Sequence, residues 1–183
     1  MSIPLEKYYT YSDYLTWDDD IRYELIDGIP YAMAGASRAH QEIASEIHGQ
    51  LYMFLRGEPC KSYIPPFDVR LNAESYDDIV VQPDIMVVCD MDKLDDKSCI
   101  GSPDMIVEVI SPSSKRHDKE TKYQIYQNAG VREYWIIDPA EQTVEAHVLE
   151  SGKYIKSLYT QADTAPVHVL EGCRIHLAEV FSF

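Results

Sequence analysis

The hydrophobic pattern changes period along the chain, and each change marks an element. Residues 23-YELIDGIPYAMAG-35 read as a β-hairpin with Asp27-Gly28 at the turn. In 37-SRAHQEIASEIHGQLYMFLRG-57, Ile43, Ile47, Leu51, Phe54 and Leu55 recur at helical spacing, with Ser37 as N-cap and Gly57 as stop. Three apolar runs then predict strands: 61-KSYIPPFDVRLN-72, 79-IVVQPDIMVVCD-90 and 104-DMIVEVIS-111. A helix over roughly Asp118 to Ala129 ends at Gly130, and 133-EYWIIDP-139 is a short strand closed by Asp138-Pro139. Residues 143–160 form a hairpin turning at Ser151-Gly152, and 166–183 add a strand and a short terminal segment. This order predicts an α/β domain, a mixed central sheet flanked by helices with an added antiparallel hairpin.

Two positions break the pattern. Glu108 interrupts the apolar run Met105, Ile106, Val107, Val109, Ile110, which reads as a strand buried on both faces. Asp84 interrupts 79-IVVQPDIMVV-88 in the same way, directly after Pro83, which cannot donate to a ladder and signals a bulge or an edge. An ionised carboxylate left alone in an apolar interior costs several kcal/mol, so it takes a partner, a metal or a shifted pKa. If the two strands are neighbours, both carboxylates converge at one end of the sheet. Two carboxylates with few histidines suit a hard, oxygen-liganded cation such as Mg²⁺ or Mn²⁺. Lys122 lies one helical turn from Asp118 and one from Tyr126, so the three share a face that can deliver a positive charge to the site.

Simpler explanations exist for each residue. Lys122 can form an exposed pair with Asp118, contributing about 0.3–0.5 kcal/mol. Asp84 can cap a turn, His40 can sit on the surface at a helix N-terminus, and Glu24 can face solvent from a strand. Tyr123 and Tyr126 fit core and rim packing.

Composition narrows the class. The chain has 183 residues, 45% hydrophobic and 11% aromatic, enough for a core in one domain spanning 1–183. No apolar run approaches a membrane span, and the N-terminus lacks the pattern of a signal peptide, so a cytoplasmic location is expected. The four cysteines (Cys60, Cys89, Cys99, Cys173) form no close pair, which argues against a structural zinc site and suits reduced thiols. No HExxH pattern is present. The formal net charge of −15 opposes strong nonspecific binding to a polyanion. Acids cluster at Asp18–Asp20, Glu24, Asp27 and from Glu74 to Asp96, whereas Lys115, Arg116, Lys119 and Lys122 leave room for a local basic patch.

The series YELIDG, the His40 helix, QPDIMVV, SPDMIVEVISPSS, Asp118, Lys122, Tyr126, AGVREYWIIDP and the closing hairpin resembles the Uma-two-like restriction-endonuclease family of the PD-(D/E)XK nuclease superfamily. Each piece is weak alone; their order and spacing across most of the chain are specific. The resemblance implies a restriction-endonuclease-like fold with Asp84 as the acid after proline and Glu108 as the second acid. The lysine of the superfamily pattern, two residues after the second acid, is Ile110 here. Similar families move it to the following helix, where Lys122 stands. The resemblance further implies that Asp84, Glu108 and the Val109 carbonyl bind Mg²⁺ (or Mn²⁺), that Lys122 positions water, and that Glu24 and His40 line the cleft. It implies DNA as substrate, hydrolysis of phosphodiester bonds and a homodimer, and the acidic net charge makes the expected nonspecific affinity for DNA weak.

Two readings follow: a metal-dependent DNA endonuclease, or a nuclease-fold domain without catalysis that serves self-association or partner binding. A third, an acidic mimic of DNA, requires duplex-like charge spacing. A Glu108 carboxylate more than about 10 Å from both Asp84 and Lys122 exceeds any shared metal and water shell and ends the nuclease reading.

Overall fold

The structure, a computed structural model, describes residues 7–18, 21–112 and 114–182. The extreme N-terminus, Asp19 and Asp20 of the acidic run and Ser113 of the Ser-Pro-Ser-Ser turn lie outside the described residues. A short helix α1 (Tyr11–Tyr14) precedes the hairpin β1 (Tyr23–Ile26) and β2 (Ile29–Ala32). Asp27 and Gly28 both have positive φ, the conformation that a two-residue hairpin turn requires. Gly28 is needed for a second reason: a Cβ there would collide with the Tyr8 ring. Helix α2 (Arg38–Phe54) is capped by Ser37, whose hydroxyl accepts from the His40 N–H at 3.2 Å.

Prolines and polar breaks divide the next strands. Residues 61–72 yield β3 (Lys61–Tyr63) and β4 (Asp68–Arg70) on either side of Pro65-Pro66. Residues 79–90 yield β5 (Val80–Val81) and β6 (Ile85–Val88), interrupted at Gln82-Pro83-Asp84. Strand β7 (Ser98–Ile100) has no counterpart in the sequence reading. After β8 (Met105–Val109) come a π-helical segment (His117–Lys122), helix α3 (Tyr123–Ala129) and β9 (Glu133–Asp138). The hairpin β10 (Thr143–Glu150) and β11 (Lys153–Thr160) follows, then β12 (Thr164–Pro166), β13 (Arg174–His176) and α4 (Leu177–Val180).

The strands assemble into two principal sheets rather than one. The central sheet runs β11-β10-β9-β8-β6-β3, with β8 and β9 parallel and the remaining pairs antiparallel. The smaller sheet runs β2-β1-β5-β4-β7. Because side chains alternate along a strand, β8 feeds two cores. Met105, Val107 and Val109 pack with Ile43, Ile47 and Leu51 of α2 and with the C-terminal segment. Ile106 and Ile110 face the other way, toward Tyr126, Tyr134 and the Val69 and Val81 side chains of the smaller sheet. Glu108 shares this second face. The layering makes both faces of β8 apolar and leaves its C-terminal end open to chemistry.

The expectation of reduced cysteines is corrected at one pair. Lys61 pairs with Val88 across β3 and β6, which brings the flanking Cys60 and Cys89 together as a disulfide. Their separation of 29 residues gave no sequence signal. Cys99 and Cys173 are free and buried. Replacing Cys60 and Cys89 by serine is expected to lower stability by about 2–4 kcal/mol, read by denaturant melts under oxidising conditions. No helix among the described residues is long and apolar enough to cross a membrane.

Candidate active site

Strand register brings the two anomalous acids together. Ile85 pairs with Val107 across antiparallel β6 and β8, so the residues one step outward, Asp84 and Glu108, stand opposite each other at the same end of the sheet. The break at Pro83 frees Asp84 from the ladder, and its Oδ2 accepts from the Val109 N–H at 2.8 Å. The same oxygen lies 3.0 Å from His40 Nε2 in the first turn of α2. His40 is therefore no free surface residue: its side chain is half-buried and tied to Asp84. Burial disfavours the imidazolium, but the bond to Asp84 prevails and raises the His40 pKa above its ordinary value.

Lys122 points back at Glu108. Its Nζ lies 2.9 Å from Glu108 Oε1, 2.8 Å from Glu24 Oε1 and 3.7 Å from Asp118 Oδ1. All four side chains are buried. An ammonium has three donors, and three carboxylates surround this one. The exposed Asp118–Lys122 pair is thus corrected to a buried cluster, and the solvent-facing Glu24 to a buried strand residue whose Oε1 also accepts from the Gln82 N–H at 3.1 Å. The π-helical segment, whose hydrogen bonds run five residues apart, contributes His117, Asp118 and Lys122 to one cleft. Tyr126 follows in α3 and donates its hydroxyl to Glu108 Oε1 at 2.8 Å. It packs in the core as the sequence suggests, but it also holds the acid. Removing that bond in Tyr126→Phe is expected to lower stability by about 1.5–3 kcal/mol, measured by chemical denaturation.

Charge in this cluster is unbalanced. Burial raises the Glu108 pKa well above the carboxylate range, and the nearby Asp84, Asp118 and Glu24 add to the rise against the opposing effect of Lys122. Burial likewise raises Asp118. For Lys122 burial acts downward, but Glu108, Glu24 and Asp118 together hold its pKa well above the ordinary lysine value. Lys122 therefore keeps its proton across the ordinary pH range and can act as a fixed charge and hydrogen-bond donor, not as a base. Glu133 provides the contrast within the same sheet. It too is fully buried, but its carboxylate is satisfied by Trp135 Nε1 at 2.7 Å and the Val169 N–H at 2.9 Å, with no charged cluster around it. A buried acid alone does not make a site.

The basic patch suggested by residues 115–122 is neutralised internally. Lys115 bonds Asp138 at 2.9 Å, Arg116 bonds Glu120 at 3.0 Å and Lys119 bonds Glu145 at 2.6 Å. Asp84, Glu108, Lys122, Glu24 and His40 all line one cleft of about 950 Å³, together with Tyr31 and Ala32 of β2, Pro112 and Pro139.

Among the described residues, no three His, Cys, Asp or Glu side chains are arranged to hold a metal by themselves. A zinc-type cage draws on three or four protein ligands. Mg²⁺, by contrast, is commonly held by one or two carboxylates and otherwise keeps its water. Asp84 and Glu108 supply that donor type, and the excess of negative charge around Glu108 is what a divalent cation would offset.

The mixed sheets and their flanking helices define an α/β fold. Residues 11–178 match the Uma2 family, described as "Putative restriction endonuclease", and the chain belongs to this family. Two relatives come from Synechocystis sp.. The uncharacterized protein slr1290 is 26% identical over 156 residues, covering 82% of this chain and 80% of its own length. The uncharacterized protein sll1609 is 28% identical over 146 residues, covering 75% and 79%. The crystal structure of a "putative nuclease belonging to DUF820" from Anabaena variabilis superposes with a TM-score of 0.77 over 95% of this chain and 98% of that one. At 18% identity this likeness establishes the fold.

Proposed function

We propose that the chain is a metal-dependent endonuclease that hydrolyses DNA phosphodiester bonds. The observation that carries this reading is the Lys122 ammonium, 2.9 Å from Glu108, delivered from the helix to the place that Ile110 leaves without a charge. Asp84, Glu108 and the Val109 carbonyl would hold Mg²⁺ or Mn²⁺. When bound, such a cation supplies Lewis-acid stabilisation of phosphoryl oxygens and lowers the pKa of water.

The protein's own residues supply position and charge. His40 and the Val109 N–H fix Asp84, while Tyr126 and Lys122 fix Glu108. Because these supports are buried or half-buried on packed elements, the carboxylates are oriented before substrate arrives, which limits reorganisation during the reaction. Lys122 stays protonated and, from within its three carboxylates, opposes as a fixed charge the negative charge that builds on the phosphoryl group. Glu24 and Asp118 hold the ammonium in place.

The second reading, a nuclease-fold domain without catalysis, gains from the internal pairing of Lys115, Arg116 and Lys119. Incubating DNA with the protein in Mg²⁺ or in EDTA separates the two. The endonuclease reading expects cleavage products in Mg²⁺ and none in EDTA. Equal product in both, or none in either with Mg²⁺ or Mn²⁺ on any DNA form, overturns it.

A further inference from the structure

The cleft that holds Asp84, Glu108 and Lys122 also contains an aromatic ledge. Tyr31 on β2 and His117 at the start of the π-helical segment lie with ring centroids 5.1 Å apart and planes inclined by 35°. Both line the cleft. Tyr31 is 41% exposed and His117 half-buried. Apolar side chains also line the cleft: Met33, directly after β2, and Ile64, 51% exposed, with Pro65.

The charges of the same cleft do not suit a duplex. Glu24, Asp84, Glu108, Asp118 and Asp138 line it, against the cations Arg22, Lys115 and Lys122. Lys122 is enclosed by Glu24, Glu108 and Asp118, and Lys115 is bonded to Asp138. A protein that grips a duplex does so chiefly by neutralising phosphates with Lys and Arg. Here that term is small. Recognition of an unpaired strand has another source, since each base offers a π-face that stacks on an aromatic side chain whatever its identity.

Resting on the endonuclease reading, we propose that the cleft takes DNA as an unpaired strand, with a base stacked on the Tyr31–His117 ledge and the adjoining phosphate turned toward Asp84, Glu108 and Lys122. Base pairing and stacking in an intact duplex hide the faces that Tyr31 needs. Frayed ends, bulges and single strands present them. The scarcity of free cations keeps duplex DNA from competing.

The test is binding and cleavage of a fluorescent single-stranded oligonucleotide and the matching duplex, by anisotropy and gel, in wild type, Tyr31→Ala, Tyr31→Trp and His117→Ala. Tyr31 is exposed and outside the metal site, and thermal melts verify that the variants fold. The single strand is expected to bind more tightly than the duplex. Tyr31→Ala should weaken it about 5- to 150-fold, and Tyr31→Trp should retain it. Removing the stacked base as an abasic site should reproduce the Tyr31→Ala loss. A duplex that binds as tightly as the single strand, or a Tyr31→Ala protein that binds and cuts like wild type, overturns the inference while leaving the endonuclease reading standing. Tyr31-dependent binding of single strands with no metal-dependent cleavage instead overturns the endonuclease reading and supports the ledge.

Discussion

Glu108→Gln is expected to reduce DNA cleavage by at least about 10²–10³-fold while leaving the protein folded and, above neutrality, at least as stable as wild type. The amide keeps a partner for Lys122 and Tyr126, both of which bond Glu108 Oε1, but it removes one buried negative charge from a cluster with three carboxylates and one ammonium. The folded-state pKa of Glu108 lies above the unfolded value, chiefly through burial. Its protonated form therefore contributes stability that is fully present below the ordinary carboxylate pKa and is lost as pH rises through the raised folded value. Glutamine mimics the protonated form at every pH. The stability difference between variant and wild type should be near zero in acid and grow in favour of glutamine as pH rises. Urea melts across pH check the slope. A variant that is less stable than wild type above neutrality would mean that the Lys122 contact outweighs the burial of Glu108.

Lys122→Met should be the most damaging single change in the site. It leaves Glu24, Glu108 and Asp118 buried without their shared cation, and removing one member of a buried ion pair typically costs about 3–5 kcal/mol. Activity should fall by about 10²–10³-fold, the range for loss of one preorganised electrostatic contact. The stability deficit should shrink on acidification, as the stranded carboxylates take up protons. Adding Glu108→Gln to Lys122→Met should recover part of the stability and none of the cleavage. The double-mutant cycle then reads the coupling between the two residues directly. If Lys122→Met melts like wild type at neutral pH, the buried cluster is not what holds this end of the sheet.

Much of the fold was legible because its signals are local. Asp27-Gly28 announces a turn, Ser37 and the spacing of Ile43, Ile47 and Leu51 announce α2, and Gly130 ends α3 with φ +84°. What failed was non-local. Strand β7 is three residues in a polar stretch and exists because β4 pairs with it in parallel. The runs at 61–72 and 79–90 each split where proline interrupts the ladder, so one expected sheet became two. Cys60 and Cys89 meet only through the β3–β6 register.

The site divides along the same line. Glu108 and Asp84 were visible as charges in apolar strands, and Lys122 as a helix face shared with Asp118 and Tyr126. Glu24 was not separable from a surface acid. Its burial depends on β1 being covered on both faces, which no feature of YELI alone requires. Nor could spacing reveal that Lys115, Arg116 and Lys119 each end on an acid, two of them distant in sequence, so that an apparent basic patch carries little free charge.

We propose that Asp84 and Glu108 form one cation site supported by Lys122. Calorimetric titration of Mn²⁺ into wild type, Asp84→Asn and Glu108→Gln tests it most directly, because it reads the site without requiring the right DNA. The account predicts saturable binding to wild type, lost in both variants while their thermal melts remain cooperative. Undiminished Mn²⁺ binding in Asp84→Asn and Glu108→Gln, or no binding to wild type, would contradict it.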